Sequence, residues 1–207
     1  MTRIKICGLT READVDAAIA AGADAIGFVF YPPSPRAVTA ARAAELAKRV
    51  PPFVDVVGLF VNETPETVRA VCEQVPLNLL QFHGDETPED CAGFARPWLR
   101  AARVRPGFDL VEFARNFQEA RGLLLDAFVD GYGGGGHVFD WTLIPPALPG
   151  HLILSGGLHA GNVGDAIQRV RPLAVDVSSG VESSKGIKDQ EKIAAFVAAV
   201  RKADESI

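Results

Sequence analysis

Eight short apolar runs (residues 4–7, 25–30, 54–61, 79–83, 99–104, 123–128, 151–155 and 174–178) recur at intervals of roughly 20 to 30 residues along a chain of 207. Between them lie amphipathic stretches at 12–21, 40–49, 65–74 and 160–169, and a last one at 190–201 ends the pattern. Short continuous apolar runs separated by helical patterns are the signature of parallel strands buried on both faces. Parallel strands need crossover connections, which the helices supply. Eight such units favour a closed (β/α)8 barrel over an open sheet. One unit departs from the rule: the sixth helix should fall at 140–148, where Pro145 and Pro146 disfavour helical bonding. No linker divides the chain, and the glycine-rich stretch 131–136 is too short to be one, so residues 1–207 read as a single barrel domain.

The composition narrows the function. Hydrophobic residues make up 48% of the chain, enough for a sizeable core, and the net charge is −5. That balance offers no broad basic field, which argues against a nucleic-acid partner. A small anionic substrate would need a local positive site. No apolar run reaches the ~18 residues of a membrane span, and the N-terminus lacks a signal-peptide pattern. Cys7, Cys72 and Cys91 are odd in number and far apart, which fits a reducing, cytoplasmic setting. His83, His137, His151 and His159 show no metal-ligand spacing, so no metal is expected.

In a barrel of this type the active site lies at the C-terminal ends of the strands. Side chains alternate along a strand, so Ile4 and Ile6 should face helices while Lys5 and Cys7 point inward. Cys7 can be a small buried hydrophobe, or a reactive thiolate whose pKa Lys5 lowers. Asp126 ends an apolar run, where a carboxylate is costly unless paired or open to a cleft. Strands one and six lie on roughly opposite sides of the ring, so Cys7 and Asp126 can flank a ligand. Arg36, on a loop stiffened by Pro32, Pro33 and Pro35, suits a carboxylate. Gly156 and Gly157, then Ser179 and Gly180, follow the last two strands, the usual place for a phosphate. His83 either polarises a substrate or bonds within the barrel. Asp176 should face inward, as a partner for Lys5 or a contact for substrate. The glycines at 131–136 read as a connector or a mobile loop beside Asp126.

These segments resemble the phosphoribosylanthranilate isomerase family. The motifs are KICGLT at 5–10, GFVFYP at 27–32 with SPR at 34–36, VGLFVN at 57–62 and QFHGDE at 81–86. GYGG at 131–134, FDW at 139–141, SGGL at 155–158 and DVSSGVE at 176–182 complete a series that covers nearly the whole chain. The resemblance implies a cofactor-independent aldose–ketose isomerase of tryptophan biosynthesis. Cys7 would be general base and Asp126 general acid, with Arg36 on the anthranilate carboxylate. The backbone near Gly156, Gly157, Ser179 and Gly180 would hold phosphate. The implied partner is a sugar-phosphate substrate, and the chain would be a monomer or homodimer. Three positions depart from the family pattern: Gly135 and His137 stand where Thr and Lys are expected, and Lys185 where Pro is. Two other readings compete. A related isomerase of histidine biosynthesis would carry a strand-one aspartate in place of Cys7. A sugar-phosphate-binding barrel would need no acid–base pair.

Overall fold

The computed structural model describes residues 1–128 and 138–206. Eight strands form a closed barrel in chain order, β1-β2-β3-β4-β5-β6-β7-β8. They are β1 (Arg3–Cys7), β2 (Ala25–Val29), β3 (Asp55–Phe60), β4 (Leu79–Phe82), β5 (Trp98–Val104), β6 (Gly122–Ala127), β7 (Leu152–Leu154) and β8 (Ala174–Val177). Every neighbouring pair is parallel, and β8 closes back on β1 with Lys5 opposite Asp176. Around the barrel run α1 (Glu12–Ala21), α2 (Ala40–Ala47), α3 (Pro65–Gln74), α4 (Pro88–Cys91), α5 (Leu110–Asn116), α6 (Val163–Val170) and α7 (Gln190–Asp204).

Local chemistry explains several boundaries. Thr39, Thr64, Thr87, Asp109 and Asp189 cap α2, α3, α4, α5 and α7 with their side-chain oxygens. Such a cap contributes about 1 kcal/mol. Gly22 ends α1 in the left-handed conformation at φ 92, where a side chain would be strained.

Two features differ from the sequence pattern. In place of a sixth helix at 140–148 there is a single 3-10 turn, Trp141–Leu143, whose Thr142 N–H donates to the Asp140 carboxylate. Pro145 and Pro146 lack the N–H groups that a longer helix would need. After β8 comes a short antiparallel hairpin that the pattern does not announce, β9 (Glu182–Ser184) and β10 (Ile187–Lys188). Lys185, one of the departures from the family pattern, lies in its turn.

The interior is layered. Ile4 and Ile6 belong to the large apolar shell between strands and helices, while Cys7 does not. Inside, Leu99, Ala101, Leu124 and Ile153, with Leu79 and Ala174 packed against them, plug the N-terminal end. Two residues further along these strands, the period-2 alternation brings polar groups to the same inner face. From Leu79 it leads to Gln81 and His83, from Leu124 to Asp126, and from Ala174 to Asp176. The barrel is therefore dry at one end and chemically equipped at the other.

Candidate active site

Cys7 ends β1 and is buried beside Val29, Leu59 and Val61, with Tyr31 packed against them. Its register partner is Gly27. A Cβ at Gly27 would come within 2.8 Å of Cys7 Sγ and 3.2 Å of Lys5 Cε, so the glycine makes room for both side chains. Lys5 Nζ donates to Asp176 Oδ1 at 2.8 Å across the β1–β8 seam, and both side chains are buried. Burial disfavours the ammonium, but Asp176 and then Cys7 outweigh it, and the Lys5 pKa stands above 10.5. Lys5 does act on Cys7 in the expected direction. Burial is nevertheless the larger influence, and it pushes the thiol above 9.0. The expectation of a lowered thiol pKa is thereby corrected: the shift is upward, and Lys5 only limits the rise.

Asp126 ends the inner face of β6. His83 Nε2 lies 3.1 Å from Asp126 Oδ2, and His83 Nδ1 lies 3.0 Å from Gln81 Nε2. Asp126 Oδ1 accepts the Ala127 N–H at 2.8 Å. His83 thus bonds within the barrel, to the residue read as the acid. With the Gln81 amide nitrogen toward Nδ1, the imidazole proton is on Nε2 and is donated to the carboxylate. Gln81 Oε1 is then buried without a partner. With the amide reversed, Oε1 accepts from Nδ1–H, and Nε2 can accept a proton from a protonated Asp126. The trio accommodates Asp126 as acid or as carboxylate.

Arg36 is also buried at this end. Its Nε and Nη2 donate to Glu182 Oε1 and Oε2 at 2.7 and 2.8 Å, a bidentate pair. Lys188 Nζ bonds Glu182 Oε1 at 3.0 Å, Ser178 O at 2.9 Å and Ser178 Oγ at 3.2 Å. Burial works to raise the Glu182 pKa, but Arg36 and Lys188 prevail and hold it below 4.5. Burial brings Lys188 below 10.5 against the pull of Glu182.

The loops after β7 and β8 meet here. Gly156 and Gly157 have φ of 84 and 61, a region that glycine occupies without strain. A Cβ at Gly180 would run into Leu158 O, so the two loops touch backbone to backbone. Among the described residues, the backbone N–H groups of Gly156, Gly157, Ser179 and Gly180 make no hydrogen bond to a protein acceptor. Asn162 braces the first loop, its Nδ2 donating to Gly157 O and its Oδ1 accepting from the His159 N–H.

The structure brings Cys7, Asp126, Arg36, His83, Asp176 and the two glycine loops to one end of the barrel. The 131–136 segment, with Gly135 and His137, lies outside the described residues. Among the described residues no cluster of His, Cys, Asp or Glu could hold a metal, and no helix is long and apolar enough to cross a membrane. Sequence reasoning gave no role to Gln81, Glu182 or Lys188. Gln81 carried a usable signal, because it shares the inner face of β4 with His83.

The match to known proteins is extensive. The model of the family described as N-(5'phosphoribosyl)anthranilate (PRA) isomerase matches residues 4–199. An N-(5'-phosphoribosyl)anthranilate isomerase of Dechloromonas aromatica is 80% identical, covering 100% of this chain and 99% of its own. The phosphoribosyl anthranilate isomerase structure from Thermotoga maritima superposes with a TM-score of 0.91 at 44% identity, over 98% of this chain and 100% of that one. Another solved enzyme of this name, in complex with reduced 1-(o-carboxyphenylamino)-1-deoxyribulose 5-phosphate, gives 0.86 at 42% identity over 98% and 100%. A further Thermotoga maritima structure, of monomers made from the dimeric enzyme, gives 0.86 at 40% over 97% and 99%. The chain belongs to the N-(5'phosphoribosyl)anthranilate (PRA) isomerase family.

Proposed function

We propose that this chain converts N-(5-phosphoribosyl)anthranilate to 1-(2-carboxyphenylamino)-1-deoxyribulose 5-phosphate, an Amadori rearrangement of tryptophan biosynthesis. The observation that carries this reading is the placement of Cys7 and Asp126 at the ends of β1 and β6, inside one barrel mouth. Asp126, protonated, gives its proton to the furanose ring oxygen as the C1–O bond breaks. The anilino nitrogen lone pair forms the C1=N bond of an iminium. Cys7, as thiolate, removes the C2 proton, and the released pair forms C1=C2 while C1=N returns to a single bond. The enolamine then loses its C2 hydroxyl proton and gains one at C1 to give the ketone. Acid and base each contribute about 10²–10⁴-fold when within hydrogen-bond reach.

Arg36 holds the anthranilate carboxylate, and the N–H groups of Gly156, Gly157, Ser179 and Gly180 cradle the phosphate. His83 exchanges a proton with Asp126. Asp176 keeps Lys5 beside Cys7 and turns its second oxygen, 3.5 Å from Ser155 Oγ, toward the mouth. The chemistry needs no redox cofactor, and all three cysteines are free thiols, as a reducing cytoplasm would keep them. We further read the chain as a homodimer, by likeness to the Thermotoga maritima enzyme described as dimeric. The test of the activity is direct. Freshly generated substrate should lose its anthranilate-type fluorescence on adding enzyme in the presence of chelator, with the ketose product identified by mass. Binding of the reduced product analogue without turnover would favour a sugar-phosphate-binding barrel instead.

A further inference from the structure

The pairing of Arg36 with Glu182 and Lys188 is more elaborate than a solvated loop arginine requires. The side chains of Arg36, Glu182 and Lys188 are 9%, 6% and 0% exposed. Arg36 crosses Gly8, where a Cβ would come within 2.6 Å of its Cδ, so the path of the side chain is cut into the backbone. The hairpin β9–β10 delivers both partners, and it packs on the arginine's own loop. A Cβ at Gly186, in the hairpin turn, would stand 2.5 Å from Pro35 O. Lys188 is tied at the same time to Ser178, on the loop after β8.

We propose that Glu182 is a positioning residue for substrate recognition, holding Arg36 and Lys188 as a preformed receptor for the arylcarboxylate of the substrate. This rests on the reading of Arg36 as the carboxylate contact. Glu182 takes the Nε and Nη2 donors, so the guanidinium plane cannot rotate, and Nη1 is presented along a fixed line. A bidentate carboxylate fixes both plane and direction, which a single contact does not. The two cations and one carboxylate leave one net positive charge in a buried cluster. An arriving carboxylate neutralises it, and this supplies the local positive site that a chain of net charge −5 lacks. Order already present before binding reduces the entropy lost on binding.

The test compares two ligands, the reduced product analogue and its counterpart without the ring carboxylate, by calorimetry on wild type, Glu182→Gln and Lys188→Met. Wild type should prefer the carboxylated ligand by at least about tenfold, as for a hydrogen bond to a charged group. Each variant should lower that preference by roughly 2–10-fold, and in Glu182→Gln affinity for the carboxylate-free ligand stays as in wild type and shows that the fold is kept. In turnover, Glu182→Gln should raise KM and change kcat little. Equal losses for both ligands would mean a structural role only and would overturn the proposal. So would a preference that is kept, or that increases, in Glu182→Gln, because removing an anion would then outweigh losing the clamp. Absence of any preference in wild type would instead remove the Arg36 reading beneath it.

Discussion

At the residue scale, Lys5, Cys7, Glu182 and Lys188 have had their ordinary chemistry shifted by burial and a few contacts. Cys7 must be a thiolate to act as base, yet burial holds its thiol above 9.0. A raised pKa places the base form at higher pH, so kcat/KM should still be climbing at pH 9. Lys5 opposes the rise, and Asp176 adds to it. Lys5→Met removes the favourable charge and should move the alkaline limb of kcat/KM upward, with a lower rate at pH 8. A limb that stays in place would show that Lys5 serves only the barrel. Which residues face the barrel interior was legible wherever alternation along a strand decided the face, as for Lys5, Cys7, Asp126 and Asp176. Their partners were less legible. The contacts of His83 with Asp126 and Arg36 with Glu182 join residues 43 and 146 apart in sequence, distances at which no local pattern operates. The direction of the Cys7 shift was misjudged because burial, the larger influence, is a property of packing and not of neighbours in the chain.

At the scale of elements, the strands were readable because each is a short apolar run between helical patterns. The 140–148 segment was the weak point, since two prolines break the period, and the hairpin β9–β10 was missed because its strands span three and two residues with mostly polar side chains. That hairpin matters to the site nonetheless. The glycine loops give a sharper prediction. A Cβ on Gly156 would stand 2.7 Å from Ala127 N and 2.9 Å from Asp126 Oδ1, in a backbone at φ 84. Gly156→Ala should therefore displace the Asp126 carboxylate and lower kcat about tenfold or more, a loss typical of a misplaced catalytic group. Crystal structures and kinetics of the variant would show it. Unchanged kcat would mean that the loop yields without moving the acid.

At the scale of the whole molecule, the barrel divides its labour between a dry end and a polar mouth. Buried charge pairs stiffen the framework around that mouth. Glu86 lies 3.3 Å from Arg100 and accepts the N–H groups of Asn62 and Gly84, joining the ends of β3, β4 and β5. Glu86→Ala leaves Arg100 buried with fewer partners and should cost about 3–5 kcal/mol in unfolding free energy. Denaturant titration would measure this, and a cost under about 1 kcal/mol, as for a surface pair, would contradict it. Light scattering should find a dimer if the chain assembles as the dimeric relative does, and a monomer would dismiss that reading. The central claim is the division of acid and base between Asp126 and Cys7. Single-turnover fluorescence decay of phosphoribosylanthranilate on wild type, Cys7→Ala and Asp126→Asn tests it most directly. The acid–base assignment requires rapid decay in wild type and a loss of about 10²–10⁴-fold in each variant, with the reduced product analogue still bound. Near wild-type decay in either variant would contradict it.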